Sequence, residues 1–141
     1  MPIIFYEKLH MNDILEPNLN KPIVLLAEPD PETRAVYAHY LSRANFVVNL
    51  CAELTVLHEQ MKIYKPDVLI CNPNFLFALG SRIFYDIRSV YPALPIVTVG
   101  DSVLDSDMDK LMKFGVSAHL SRKFSQPRDL VVTVEQLLYA N

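Results

Sequence analysis

From Pro22 onward, short apolar runs alternate with segments in which apolar residues recur every three or four positions. The short runs are typical of strands buried on both faces, and the longer segments have the period of helices that pack on a sheet. The predicted strands cover residues 23–27, 46–50, 68–71, 95–99 and 116–120. The stripes predicted to be buried in the five helices are Val36, Tyr37, Tyr40, Leu41 and Ala44; Leu54, Leu57, Met61 and Tyr64; Ile83, Phe84, Ile87 and Val90; Leu104, Met108, Leu111 and Met112; and Leu130, Val134, Leu137 and Leu138.

Five strand–helix units in succession predict a parallel sheet with helices on both faces, and right-handed crossovers leave few ways to connect them. The flavodoxin-like strand order 2-1-3-4-5 is the common one at this length. We therefore predict an α/β fold with a single flavodoxin-like domain over residues 22–141. Residues 1–21 form an N-terminal extension that is too apolar for a floppy tail, and we expect it to pack on the domain or dock on a partner.

Composition excludes several classes of protein. The formal net charge is −3, which gives no electrostatic argument for binding nucleic acid or an anionic membrane. No apolar run approaches the roughly 20 residues that span a bilayer, and no secretory signal precedes the domain, so the expected location is cytoplasmic. Cys51 and Cys71 fall on strands separated by strand 1, roughly 9–10 Å apart, so two buried thiols are expected rather than a disulfide.

In a sheet of this kind, ligand chemistry is expected just beyond the carboxyl ends of the strands. The residues there are Glu28-Pro29-Asp30, Asn72-Pro73-Asn74, Gly100-Asp101 and Ser121-Arg122-Lys123. A nucleotide or flavin site is disfavoured because Glu28 and Asp30 repel phosphate and the prolines donate no N–H group.

Several motifs occur in the order and spacing of one signalling family. They are Leu25-Leu26-Ala27-Glu28-Pro29-Asp30-Pro31, Lys65-Pro66-Asp67-Val68-Leu69-Ile70-Cys71, Gly80, Leu94-Pro95-Ile96-Val97, Phe114-Gly115-Val116-Ser117-Ala118 and Lys123-Phe124. With these motifs the chain resembles the receiver domain of two-component response regulators over nearly everything from Pro22 to the end. The resemblance implies a domain that accepts a phosphoryl group on an aspartate, with Mg²⁺ held by this aspartate and by acidic residues after strand 1. It also implies a Ser or Thr after strand 4 and a Lys after strand 5 that bond the phosphoryl oxygens, and an aromatic residue in strand 5 that turns inward as a switch.

The site residues that the resemblance implies are almost all replaced. Asn72 stands at the acceptor position, Pro29 at the position expected to touch Mg²⁺, Gly100 at the hydroxyl position, Arg122 at the lysine position and His119 at the aromatic switch position. A one-residue slip would bring Lys123 into line with the lysine instead. An amide is a poor nucleophile and forms no acyl phosphate, so we expect no phosphorylation at Asn72.

The remaining acidic residues after strand 1 form a thin ligand set for a hard divalent cation, so no Mg²⁺ and no other cofactor is predicted. Asp30 is interpreted as a helix N-cap rather than a metal ligand. Glu28 is a candidate for an ion pair with Arg122 or Lys123, a question that the sequence leaves open. His119 is interpreted as a strand histidine at the edge of the core, with a role as a pH reporter as the alternative.

These features together predict a stand-alone pseudo-receiver without enzymatic activity, which signals through protein–protein contact independent of phosphorylation. The predicted contact surface is helix 4, strand 5 and helix 5, where Lys110, Lys113, His119 and Arg128 are candidates for exposure; a homodimer through this face is one possible use. Two alternatives stay open. One is a phosphorelay protein with Asp30 or Asp101 as an unusual acceptor, and the other is a subunit of a larger assembly docked through residues 1–21.

Overall fold

A computed structural model describes residues 21–74, 77, 81–101 and 104–139, apart from the side chains of residues 81, 83 and 84. The strands are β1 (Ile23–Ala27), β2 (Val47–Cys51), β3 (Val68–Cys71), β4 (Ile96–Gly100) and β5 (Ala118–Ser121). The helices flanking them are α1 (Pro31–Arg43), α2 (Leu57–Tyr64), α3 (Ser81–Val90), α4 (Asp105–Lys113) and α5 (Pro127–Tyr139). Neighbouring strands are parallel, and their order β2-β1-β3-β4-β5 confirms the predicted topology.

The sheet has a separate hydrophobic core on each face because successive side chains of a strand point to opposite sides. On one face, strand residues such as Leu25 and Leu69 pack with buried side chains of α2, α3 and α4. On the other face, Leu26 and Ile70 pack with buried side chains of α1 and α5. All four residues of β3 are buried, which explains why this central strand reads as an unbroken apolar run.

Several details differ from the prediction. β2 and β4 each begin and end one residue later than expected, and β5 begins two residues later and ends one residue later. Leu54 belongs to a short 3₁₀ turn, Leu54–Val56, rather than to α2. Pro73, Asn74 and Phe77 are helical, although they lie between the predicted third strand and third helix, where a loop was expected. Gly80 and the extension before residue 21 lie outside the described residues, as do the side chains of Ile83 and Phe84.

The predicted helical stripes were too wide. Their outer members are exposed, while the central residues of the stripes, such as Leu41, Met61, Leu111 and Val134, are buried. The stripe residues that were wrongly predicted as buried are Val36, Tyr40, Tyr64, Val90, Leu104 and Met112. A helix packed on a flat sheet buries only the narrow row of side chains that points directly at the strands, and apolar residues at its flanks stay in contact with water.

The helix ends follow from local sequence. Asp30 caps α1, with its carboxylate accepting from the Thr33 N–H at 2.9 Å, and Pro31 occupies the first turn, as predicted. Gly115 follows α4 with a φ of 79°, the left-handed conformation expected of a glycine there. Lys65 ends α2 in the same region, with a φ of 48°, just before Pro66.

Both cysteines are buried and free, as expected. Ala27 of β1 is the register partner of Cys51 on one side and of Cys71 on the other, so a whole strand separates the two thiols. Burial raises the pKa of both thiols, and that of Cys71 is raised further by the neighbouring Glu28 carboxylate. The thiols therefore act as small apolar groups of the core.

Arg88 of α3 joins three segments at the amino-terminal side of the sheet. Its guanidinium donates to the carbonyls of Tyr91 at 3.2 Å, Leu94 at 2.6 Å and Phe114 at 3.2 Å, and to that of Gly115. These carbonyls belong to the loop before β4 and to the turn that leads from α4 into β5. Four of the five N–H donors of the guanidinium thus have carbonyl acceptors, and burial lowers the pKa of Arg88.

We predict that Arg88→Ala lowers the free energy of unfolding by about 3 kcal/mol, because charged hydrogen bonds are lost and several carbonyls are left unpaired. Urea denaturation followed by circular dichroism measures the change. Arg82→Ala is the matched control, since Arg82 is an exposed arginine on the same helix, and it should change stability by less than about 0.5 kcal/mol. Equal small effects of the two variants would show that the Arg88 network contributes little.

Candidate functional site

The carboxyl ends of β1, β3, β4 and β5 bring the predicted site residues together at one edge of the sheet. The backbone keeps the sheet register past the strand ends: the Asn72 N–H donates to the Ala27 carbonyl at 3.1 Å, and the Arg122 N–H donates to the Gly100 carbonyl at 2.8 Å. These bonds place the side chains that follow the strands around a common centre. The Glu28 carboxylate lies at that centre.

Glu28 is buried, with 2% of its surface exposed, and its carboxylate is held by two donors. Oε2 accepts from the Asp30 N–H at 2.9 Å, and Oε1 accepts from the Asn72 side-chain amide at 3.3 Å. Within the described residues no ion pair joins Glu28 to Arg122 or Lys123. The buried Glu28 carboxylate is therefore paired with the side-chain amide of Asn72 and not with Arg122 or Lys123.

The Asn72 amide uses both of its ends. Nδ2 donates to Glu28, and Oδ1 accepts from the Asn74 N–H at 2.9 Å, which closes a local turn after β3. An aspartate at this position would keep the turn but would lose the donor and would face the Glu28 carboxylate with a like charge. Asparagine is thus the residue that satisfies both neighbours without a cation.

Pro73 fills the space in front of Gly100. A Cβ atom placed on Gly100 would lie 2.8 Å from Cδ and 3.1 Å from Cγ of the Pro73 ring. Contacts this close between carbon atoms are strongly repulsive, and a buried proline ring has little freedom to move. The last position of β4 therefore accepts glycine, and a hydroxyl-bearing side chain there would require Pro73 to shift.

Arg122 and Lys123, the two cationic residues predicted at the site, have different neighbours in the structure. The Arg122 guanidinium reaches the site, where it donates to Thr33 Oγ1 at 3.1 Å and lies 3.7 Å from the Asp101 carboxylate. Lys123 is exposed, and its ammonium lies 5.6 Å from the centre of the Phe124 ring. The structure thus places Arg122 at the site, whereas Lys123, which a one-residue slip would have aligned with the lysine position, lies near Phe124.

Asp30 and Asp101 differ in their availability. The Asp30 carboxylate accepts from the Thr33 N–H and hydroxyl, and these hydrogen bonds hold its pKa below the ordinary value. The Asp101 side chain is 82% exposed, with the Arg122 guanidinium as its neighbour. The N-cap interpretation of Asp30 is confirmed, and Asp101 is the freer of the two carboxylates.

His119 is half-buried on β5 rather than exposed. Its Nδ1 lies 2.8 Å from Oγ1 of Thr98, its register partner on β4, and Thr98 is completely buried. The Nε2 atom is buried without a hydrogen bond to the described residues. Burial lowers the pKa of the imidazole below its ordinary value, and the Asp101 backbone opposes this shift in part. The imidazole is therefore neutral at pH 7.

Some participants were missed by sequence reasoning. Thr33, Arg34 and Thr98 all touch the site or its frame, with Arg34 donating to the Glu28 carbonyl at 2.8 Å. Thr33 stands three residues after an N-cap, a spacing that predicts its backbone contact with Asp30. The other contacts depend on which side chains the folded sheet and α1 place side by side, and no local pattern marks them.

The remaining candidate residues lie on a different surface. Lys110 and Lys113 of α4 and Arg128 of α5 are exposed, as predicted, and Lys110 lies 3.9 Å from Asp107 one turn away. None of the described helices is both long enough and apolar enough to cross a membrane.

The fold and this edge define a receiver-type domain, and comparison with known proteins identifies its family. A family model described as the response regulator receiver domain matches residues 24–135. The chain therefore belongs to the response regulator receiver domains, which act in two-component signalling and interact with protein partners.

Solved structures share the fold. The chemotaxis response regulator CheY4 of Vibrio cholerae superposes with a TM-score of 0.74 at 21% identity, over 84% of this chain and 100% of that one. The receiver domain of HemR from Leptospira biflexa gives a TM-score of 0.75 at 13% identity, over 86% of this chain and 97% of that one.

A relative in sequence is the hybrid signal transduction histidine kinase D of Dictyostelium discoideum. It is 28% identical over 121 residues, which cover 84% of this chain and 8% of that protein. The chain thus corresponds to a small part of this relative.

The Mg²⁺ that receivers use does not fit the residues present. Both Glu28 oxygens already accept hydrogen bonds, Asp30 is engaged as the α1 cap, and Pro29 offers no side-chain ligand. In the described part of the chain no group of three acidic, histidine or cysteine side chains could hold a metal ion. A hard cation wants several free oxygen ligands, and this edge supplies too few.

We predict that Asn72→Asp is destabilising in metal-free buffer near pH 8 by about 1–3 kcal/mol, because two carboxylates then meet at hydrogen-bond distance. One proton of the pair is bound more tightly in the folded state, so the loss should appear as the pH rises and vanish at about pH 4. Urea unfolding at both pH values measures it. Asn74→Asp adds the same charge at an exposed position and should lack this pH dependence.

A second pH dependence is expected from His119. Its pKa is lowered on folding, so the unfolded chain binds more protons below about pH 6.5 and stability is lost as the pH falls. Between about pH 7.5 and 5.5, the wild-type free energy of unfolding should fall about 0.5 kcal/mol more than that of His119→Gln, a small value because the ring is partly exposed. His39→Gln, at an exposed histidine, should keep the wild-type slope; identical slopes in all three proteins would contradict the assignment.

Proposed function

We propose that this receiver domain is a pseudo-receiver, which transmits signals through protein–protein contact without phosphorylation at position 72. The observation that carries the proposal is the side-chain amide of Asn72, which bonds the buried Glu28 carboxylate through Nδ2 and the Asn74 N–H through Oδ1. An amide in this position is no nucleophile toward a phosphoryl donor. The proposed domain has no enzymatic activity of its own.

The surroundings of Asn72 support the same conclusion. A phosphoryl group needs cations and donors at its equatorial oxygens, and here the hydroxyl position is a glycine packed against Pro73. The Arg122 guanidinium is directed to Thr33 and Asp101. Each replacement removes a different requirement of the chemistry, so restoring one of them alone would not restore phosphorylation.

We propose that the contact surface comprises α4, β5 and α5, with Lys110, Lys113, His119 and Arg128 as candidates. Exposed apolar side chains lie beside the cations on α4, where Leu104 precedes the helix and Met112 lies in its last turn. An apolar surface with cationic neighbours suits a protein partner that presents apolar and acidic side chains, and a second copy of the chain is one candidate. The net charge of −3 gives no support to a nucleic acid partner.

The free buried thiols Cys51 and Cys71 suit a reducing compartment, and we place this contact in the cytoplasm. Residues 1–21 are proposed as a packing or docking segment that precedes the domain. We propose that the domain requires no cofactor.

One alternative is favoured by a specific observation. The Asp101 carboxylate is exposed and has Arg122 as its cationic neighbour, so it is available as an unusual phosphoryl acceptor. Asp30 is the weaker candidate of the two, because its carboxylate is used to cap α1.

The test is to titrate the protein with Mg²⁺ and beryllofluoride, which mimics a phosphoryl group on a carboxylate, and to follow the backbone amide signals by NMR. We expect no saturable shift around Glu28, Asn72 and Arg122 at millimolar concentrations. A saturable shift at these residues would overturn the proposal. Its loss in Asp101→Asn would then identify Asp101 as the acceptor.

A gain-of-function variant is the positive control for this experiment. Pro29→Asp combined with Asn72→Asp supplies two carboxylates beside Glu28, and we expect Mg²⁺-dependent shifts at the site. Adding Asn74→Asp to the wild type instead introduces one charge outside the buried centre and should leave the titration silent.

A further inference from the structure

A groove separates the start of α1 from the loop between β5 and α5, beside the Asn72 centre. The groove is open to solvent and has a volume of about 330 Å³, at the lower end of the range of small-molecule sites. The residues that line it are Glu32, Thr33, Val36, Tyr37, Arg122, Ser125 and Pro127. Most of them have no part in the hydrogen bonds of Asn72 and Glu28.

Tyr37 brings a phenol hydroxyl to this groove. Most of the residue is buried, with 7% of its surface exposed. Burial raises the pKa of the phenol, Arg122 opposes this shift, and the Glu28 carboxylate adds to it. A phenol in the wall of a groove can donate a hydrogen bond to a bound molecule.

Arg122 provides a cation at the same groove, and most of its N–H donors make no hydrogen bond to the described residues. A single guanidinium nitrogen bonds Thr33 Oγ1, and the 3.7 Å distance to the exposed Asp101 carboxylate is too long for a hydrogen bond. An exposed ion pair of this kind contributes little and is easily exchanged for a better partner. The planar guanidinium fork fits the two oxygens of a carboxylate.

The other residues that line the groove determine the polarity and charge that a ligand must have. Val36 and Pro127 offer apolar surface, and Val36 is one of the α1 residues that the sheet leaves uncovered. Thr33 and Ser125 add hydroxyl groups. Glu32 is an exposed carboxylate of the groove, which disfavours a second negative charge on the ligand.

From this combination we infer that the groove binds a small molecule with one carboxylate on an apolar body. The carboxylate pairs with Arg122, the Tyr37 hydroxyl donates to it, and the apolar body packs against Val36 and Pro127. A phosphate is disfavoured, because the α1 N-terminus is already capped by Asp30 and the groove has one cation opposite Glu32. This inference does not depend on the proposed function, since none of its contacts involves Asn72.

The test uses phenylacetate, an aromatic monocarboxylate, with phenylacetamide as the neutral molecule of the same shape. Titration of the full chain, followed by NMR at the amides of residues 32–37 and 122–127, should give a saturable shift with phenylacetate and at least about tenfold weaker binding of the amide. Equal affinities of the two molecules, or no saturable shift with phenylacetate, would overturn the inference.

Three variants assign the contacts. Arg122→Gln should weaken phenylacetate binding at least about tenfold, and Tyr37→Phe about threefold or more. Glu32→Gln should strengthen binding about twofold, because an exposed like charge is removed. A retained amide spectrum shows that each variant is folded. Unchanged affinity in Arg122→Gln, or weaker binding in Glu32→Gln, contradicts the assigned geometry.

Discussion

The structure depends on one constraint, which is the burial of the parallel sheet on both faces. A parallel sheet has no face for water, so its central strands are mainly apolar and helices cover each side. β3 meets this requirement with four buried residues, and β1 with four of its five. Thr98 of β4 is a buried polar residue within a strand, but the charged groups of the site collect where the strands end, and this is why the site lies at the carboxyl edge.

Glu28 lies at the boundary of this constraint. It follows directly on β1 and is almost as buried as the strand itself, so its carboxylate needs donors that come from within the protein. In the described structure they are the Asp30 N–H and the Asn72 amide. The resemblance to the receiver family implies an aspartate at the position of Asn72. A cation must then lie between that carboxylate and the carboxylate of Glu28. With asparagine the buried charge is satisfied by the chain alone, and no metal is needed to hold this edge together.

The carboxyl edge and the groove beside it share a residue but differ in character. The Asn72 centre has its side-chain donors and acceptors paired, and Pro73 closes it toward Gly100. The groove next to it is lined by the Tyr37 phenol and by Arg122, whose ion pair with Asp101 is exposed. Polar groups that are already paired contribute little to binding a new ligand. The ligand site that we propose is therefore the groove and not the Asn72 centre.

The sequence by itself determined the strand order and predicted which residues meet at the carboxyl edge of the sheet. The strands and their connections follow from periodicity and from the limited ways of linking parallel strands, and Asn72 and Pro29 can be read directly at their positions. Helix faces were less predictable, because Val36 and Met112 have the right period but lie at the flank of a stripe whose centre alone meets the sheet. Local spacing cannot distinguish an apolar residue at the centre of a helical stripe from one at its flank.

Only the tertiary structure decided which side chains are partners. It paired Glu28 with Asn72 rather than with Arg122, turned Lys123 toward Phe124, and set His119 beside Thr98. These partners are distant in sequence, and their contacts depend on register and on side-chain direction beyond the strand ends. The physical reason is that periodicity reports which face of an element is apolar, whereas a hydrogen bond between two elements depends on where packing places both of them.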